Sequence, residues 1–150
     1  MIYKKKMNTI QLNKILFNFP TTKENYVGTF AIDKIPKMVT YPSSMIINNE
    51  PSAQVGSHWI AIFFFKNKKA IFFDSYGQSA KTYKLNNFLR KKSVSFIENK
   101  QILQAYSPYC GYYCVLFIIF MSLGYSLKKF LKYFKTPIEN DKLFKKLINK

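Results

Sequence analysis

The sequence predicts one α+β domain, and three stretches carry that prediction. Residues 57–65 (SHWIAIFFF), a KNKK turn and residues 70–74 (AIFFD) read as a β-hairpin: two runs rich in β-branched and aromatic side chains flank a polar turn. Residues 107–126 (SPYCGYYCVLFIIFMSLGYS) read as a helix that is apolar all round and therefore central. Residues 8–19 place Ile10, Leu12, Ile15, Leu16 and Phe19 near helical spacing, and Pro20 closes the segment. A chain of 150 residues fits a single domain over 1–150, large enough to bury a core without staples.

The other elements follow in chain order. Residues 20–56 hold four of the six prolines and read as irregular, with a short helix expected at 43–47. Residues 81–92 read as a helix on Tyr83, Leu85, Phe88 and Leu89. Residues 93–97 alternate as a short strand, and 101–103 are a further candidate strand. Ser107 is the expected N-cap of the central helix and Pro108 its first residue, which puts Cys110 at the third helical position. In SLKKFLKYFK, Leu127, Phe130, Leu131 and Phe134 oppose Lys128, Lys129, Lys132 and Lys135, and NDKLFKKLINK reads as a C-terminal tail.

The formal net charge is +17, from 24 Lys+Arg against 7 Asp+Glu, and only Arg90 among the 24 is arginine. AT-rich coding accounts for abundant lysine but not for scarce glutamate, so the balance points to a polyanionic partner, above all nucleic acid. Lysine makes point-charge phosphate contacts, so such binding is expected to be non-specific and salt-sensitive. The candidate contacts are Lys66, Lys68 and Lys69 on the hairpin turn, Arg90, Lys91 and Lys92, and Lys128, Lys129, Lys132 and Lys135; the ordinary alternative for each cluster is a solvated face.

Cys110 and Cys114 share a helix face at a spacing that seldom has disulfide geometry, so both are expected as thiols in a reducing compartment. The N-terminus lacks the apolar core of a secretory signal, and the apolar run 112–123 is too short to span a bilayer. No membrane partner and no secretion are expected. One histidine and two cysteines on one helix face do not build a metal shell.

The first turn of a helix offers unsatisfied amides and the positive end of the macrodipole, which favour a thiolate and an oxyanion. Cys110 is therefore a candidate nucleophile, although a buried structural cysteine is the commoner fate. If the hairpin has an even register, Asp74 lies opposite Ile60, one diagonal step from His58, the only histidine. The carboxylate could then fix the imidazole tautomer; alternatively Asp74 simply ends a strand. Gln104, six residues before Cys110, could donate to an oxyanion.

In this order, GSHWIAIFF, IFFDSYG and QAYSPYCGYYC resemble the adenovirus-type (adenain-like) cysteine proteases, a group related to the proteases that release ubiquitin-like modifiers. YVGTFAIDKIP is similar to that family's Gly-Thr-aromatic segment, and YPSSMIINNE lies where it has a Pro-containing helical stretch and a strand. The resemblance spans residues 12–125.

It implies a papain-like fold, a central mixed sheet packed on a buried nucleophile helix. It also implies a thiol endopeptidase cutting after small residues of Gly type. By resemblance Cys110 is the nucleophile, His58 the general base and Asp74 its orienting group. Gln104 and the Cys110 amide form the oxyanion hole, Trp59 covers the substrate channel, and Gly111 allows close backbone packing beside the nucleophile.

The implied role is maturation of viral precursor polypeptides, or the same task in a virus-like mobile element, by a monomer in the virion and the host nucleus or cytoplasmic viral factory. The chemistry calls for no cofactor; DNA or an activating peptide could serve as one, although the extra cysteine that anchors the adenovirus peptide has no counterpart. Two alternatives stay open: a deconjugating protease for ubiquitin-like modifiers, and an inert basic virion protein that binds nucleic acid.

Overall fold

The computed structural model describes residues 6–51 and 58–149. Five strands form one mixed sheet in chain order: β1 (Tyr26–Ala31), β2 (Ser43–Asn48), β3 (Trp59–Phe64), β4 (Lys69–Phe73) and β5 (Ser95–Glu98). β3 runs antiparallel to both β2 and β4, while the outer pairs β1–β2 and β4–β5 are parallel. Helices cover both faces, so the central strands are buried on both sides and read as unbroken apolar runs.

On one face Trp59, Ala61 and Phe63 of β3 pack with Leu12 and Leu16 of α1 (Thr9–Asn18) and Phe117 and Ile118 of α3 (Cys110–Ser122). On the other, Ile60, Ile62 and Phe64 pack with Leu85 and with Leu89 of α2 (Asn86–Lys92). Burying each such side chain is worth about 1.5–3 kcal/mol. Phe73 stacks on Phe117 at 4.6 Å and 6°, which adds roughly 1 kcal/mol of ring geometry.

The N-terminal helix forms as its periodicity predicts. Asn8 caps it by accepting from the Gln11 amide (2.8 Å), and the Gln11 side chain accepts from the Asn8 amide (3.0 Å). The hairpin also matches, apart from Ser57, which lies outside the described residues.

Several expectations are corrected. Residues 43–47 are strand, not helix: β2 is inserted between β1 and β3 and buried on both faces, so no alternation marks it. Residues 81–92 split into a 3₁₀ turn, Ala80–Tyr83, and α2, because Lys84 takes a left-handed φ of 59° between them. Residues 101–103 do not pair as a strand; the Leu103 amide donates instead to the Ser75 carbonyl. After α4 (Leu127–Leu131) the chain turns, and the expected tail is mostly helix, α5 (Pro137–Ile148). Thr136 caps α5 and Pro137 opens it.

α3 begins at Cys110, not at Pro108. An N-cap carbonyl must accept the first helical bond, but the Ser107 carbonyl accepts from the Gln104 side chain (2.7 Å). Tyr109 is the N-cap, and its carbonyl accepts from the Tyr113 amide. No described helix is long and apolar enough to cross a membrane.

Candidate active site

The β3–β4 ladder delivers the first two groups. Ala61 pairs with Phe73, so one step further Asp74 lies across from Ile60 with His58 diagonal to it. The His58 backbone is held by Asn49, whose side chain accepts from the His58 amide and whose amide donates to the His58 carbonyl, both at 3.0 Å. Asn99 holds Asp74 in the same way: its Oδ1 accepts from the Asp74 amide (3.0 Å) and its Nδ2 donates to the Asp74 carbonyl (2.6 Å).

The Asp74 carboxylate is 0% exposed and accepts four hydrogen bonds. Oδ1 accepts from His58 Nε2 (2.6 Å) and the Tyr76 amide (3.0 Å); Oδ2 accepts from the Tyr83 hydroxyl (2.6 Å) and the Gln78 amide (3.2 Å). Those donors stand where water would, so a carboxylate can sit there without solvent. Burial, and then the bond and charge of Asp74, push the Tyr83 hydroxyl well up, so it remains a donor.

With Nε2 committed to Asp74, the His58 nitrogen that remains for Cys110 is Nδ1. Burial works against the charged ring, but the hydrogen bond to Asp74, then neighbouring Cys110 and the charges of both, outweigh it and push the pKa up to about 9. The ring is 6% exposed and stacks under Tyr76 at 4.6 Å.

Cys110 opens α3, where its amide has no acceptor within the helix. Cys114, one turn on, is sealed: its thiol donates to the Trp59 carbonyl at 3.4 Å, and burial pushes its pKa well up, with Cys110 and Asp74 adding to the rise. Both cysteines are free thiols. Gly111 marks a close approach, since a Cβ there would lie 3.2 Å from Met7 Cβ, 3.3 Å from Trp59 Cδ1 and 3.4 Å from Leu12 Cδ2. Trp59 is buried beside it and donates from Nε1 to the Met7 carbonyl at 3.0 Å.

Gln104 is buried and held on every side. Ser75, adjacent to Asp74, accepts the Gln104 amide on its carbonyl (3.1 Å) and donates from Oγ to Gln104 Oε1. That fixes Nε2 towards Ser107, whose carbonyl accepts at 2.7 Å and hydroxyl at 3.1 Å. α5 clamps the same loop: Asn140 Nδ2 donates to the Leu103 carbonyl (3.0 Å), and Asp141 accepts from the Ala105 amide (2.9 Å) and the Tyr113 hydroxyl (2.8 Å).

The fold thus brings His58, Asp74 and Cys110 together and ties Gln104 to Asp74 through Ser75. Sequence reasoning missed Ser75, Tyr76, Tyr83, Asn99, Asn140 and Asp141. Only Asp141, as one of seven acids in a basic chain, carried a compositional hint. Among the described residues, no group of three or more His, Cys, Asp or Glu is arranged to hold a metal ion.

The basic clusters lie elsewhere. Lys66, Lys68 and Lys69 occupy the hairpin turn, at the opposite end of β3 from His58, roughly 20 Å away along the strand. Arg90, Lys91 and Lys92 end α2 and share that region, because the Val94 amide donates to the Lys68 carbonyl at 2.8 Å. Lys128, Lys129, Lys132 and Lys135 are exposed on and after α4, with the Lys129 ammonium 5.2 Å from the Tyr125 ring centre.

A buried thiol at a helix start, beside an imidazole that a fully bonded carboxylate orients, is an arrangement suited to nucleophilic catalysis. The chain is an α+β protein built on a mixed five-stranded sheet. No protein-family model matches the sequence, and no curated protein is significantly similar to it.

Proposed function

We propose that this chain is a cysteine endopeptidase of papain-like fold, akin to the adenovirus-type proteases. The observation that carries the reading is the His58 ring, held by Asp74 on Nε2 at 2.6 Å and near enough to Cys110, at the start of α3, for the thiol to shift the ring's charge balance. His58 takes the thiol proton, and Cys110 Sγ attacks the scissile carbonyl carbon. The tetrahedral oxyanion forms against the Cys110 amide and the Gln104 Nε2–H now resting on the Ser107 hydroxyl, the longer of its two bonds. The intermediate collapses as His58 protonates the departing amine, leaving a thioester. His58 then deprotonates water, which attacks the thioester and releases the acid and the thiol.

By the same resemblance, the substrates are viral precursor polypeptides cut after Gly-type residues during virion maturation. The lysine clusters support retention on DNA, with non-specific and salt-dependent affinity. The test is hydrolysis of quenched fluorescent peptides containing Gly-Gly or Gly-x, set beside a ubiquitin-like fusion, by wild-type protein and Cys110→Ala. Peptide cleavage that Cys110→Ala loses supports the endopeptidase. Cleavage of the fusion alone redirects the reading to deconjugation. DNA binding with no cleavage of either substrate overturns it.

A further inference from the structure

We infer that the groove between residues 102–109 and α5 holds the substrate downstream of the scissile bond, and that it selects a large apolar or aromatic side chain followed by acidic residues. This rests on the endopeptidase reading and adds the substrate class.

Position comes first. The groove, about 940 Å³, begins at Tyr76 and runs along the loop that joins Gln104 to Cys110. Tyr76 stacks on His58, the group that protonates the departing amine, so the leaving chain exits on this flank. Away from this groove, Gly111 and Trp59 pack against Met7 and Leu12.

Shape and charge then limit the occupant. Ile102, Tyr106, Pro108, Pro137 and Ile138 make the walls apolar, and Tyr106 and Ile138 are exposed there with no core to fill. Exposed apolar side chains gathered in a concave site beside reactive groups mark a ligand surface. The acid in the lining, Asp141, is already bonded to Ala105 and Tyr113. Lys142 and Lys145, exposed and one turn apart on α5, make no ion pair among the described residues and set a positive rim. An acidic segment complements that rim, whereas a basic one meets it with like charge.

The experiment uses three quenched peptides identical up to and including Gly-Gly and continuing as Phe-Glu-Glu, Phe-Lys-Lys or Ser-Ser-Ser. Wild-type kcat/KM should be at least about ten-fold higher for the Phe-acidic peptide than for either other. Lys142→Glu/Lys145→Glu should invert the acidic-over-basic order, while Lys14→Glu/Lys23→Glu, an equal change of net charge on and near α1, should not. Tyr106→Ala should erase the Phe advantage without slowing alkylation of Cys110 by iodoacetamide. Equal cleavage of all three peptides sinks the groove assignment and leaves the endopeptidase standing. An order that follows net charge in both double variants also sinks it. No cleavage of any peptide, with Cys110 still alkylated, overturns the endopeptidase and the groove with it.

Discussion

Cys110 and Cys114 sit one turn apart on the same helix, and their surroundings differ in kind. Cys110 opens α3 beside His58. Cys114 is 0% exposed, with its thiol on the Trp59 carbonyl. Both lie on one face of the helix, so reactivity depends on where along it each sulfur sits and which partner it meets. A sulfur becomes a nucleophile through its base and its exit to substrate, and Cys114 has neither.

The sharpest way to break this comparison is Cys110→Ala, which should lower peptide hydrolysis by at least about 1,000-fold and abolish labelling by a thiol probe. Labelling that persists in Cys110→Ala and vanishes in Cys114→Ala would falsify the assignment. Asp74→Asn should cost on the order of 10²- to 10⁴-fold in kcat, because an amide can present a donor to Nε2 and favour the wrong tautomer. Steady-state kinetics should show KM nearly unchanged.

Asp141→Asn and Gln104→Ala probe the oxyanion side. Gln104→Ala should lower kcat by about 10²- to 10³-fold and Asp141→Asn by less, through its grip on Ala105. Alkylation by iodoacetamide, which forms no oxyanion, should keep its wild-type rate in both. A parallel fall in the two rates would mean general misfolding.

The single histidine makes the pH behaviour directly readable. The His58 pKa rises from 6.5 to about 9 in the folded chain, so its stabilisation is fully present below pH 6.5 and is lost as pH climbs through about 9. One imidazole Cε1–H signal should titrate near 9, and Cys110→Ala should lower that midpoint. A midpoint near 6.5 in the wild type would refute the bonded pair. The smallest effect is expected from Cys114→Ala: roughly 1–2 kcal/mol of stability in a denaturant melt, with hydrolysis within a few-fold of wild type.

The legible parts of the molecule were those with local signatures. The hairpin stood out because its two runs flank a polar turn, and an even register alone put Asp74 near His58. The β1–β2 region did not. β2 is buried on both faces and so lacks alternation, and β1 contains Gly28 at φ 138°, where the ladder register shifts. The start of α3 was misread because Ser107-Pro108 is a good local start signal. The Gln104 side chain occupies the carbonyl that such a start needs.

By itself the sequence determined the α+β class, the apolar central helix and the hairpin, and it made Asp74 a candidate partner for its one histidine. These follow from periodicity and turn chemistry, which act over a few residues. The tertiary structure decided where α3 begins, which cysteine is sealed, and that Asn99, Tyr83, Ser75 and Asp141 hold the site. Those contacts join residues as much as 55 positions apart, as Trp59 and Cys114 are, by single hydrogen bonds that leave no periodic trace along the chain.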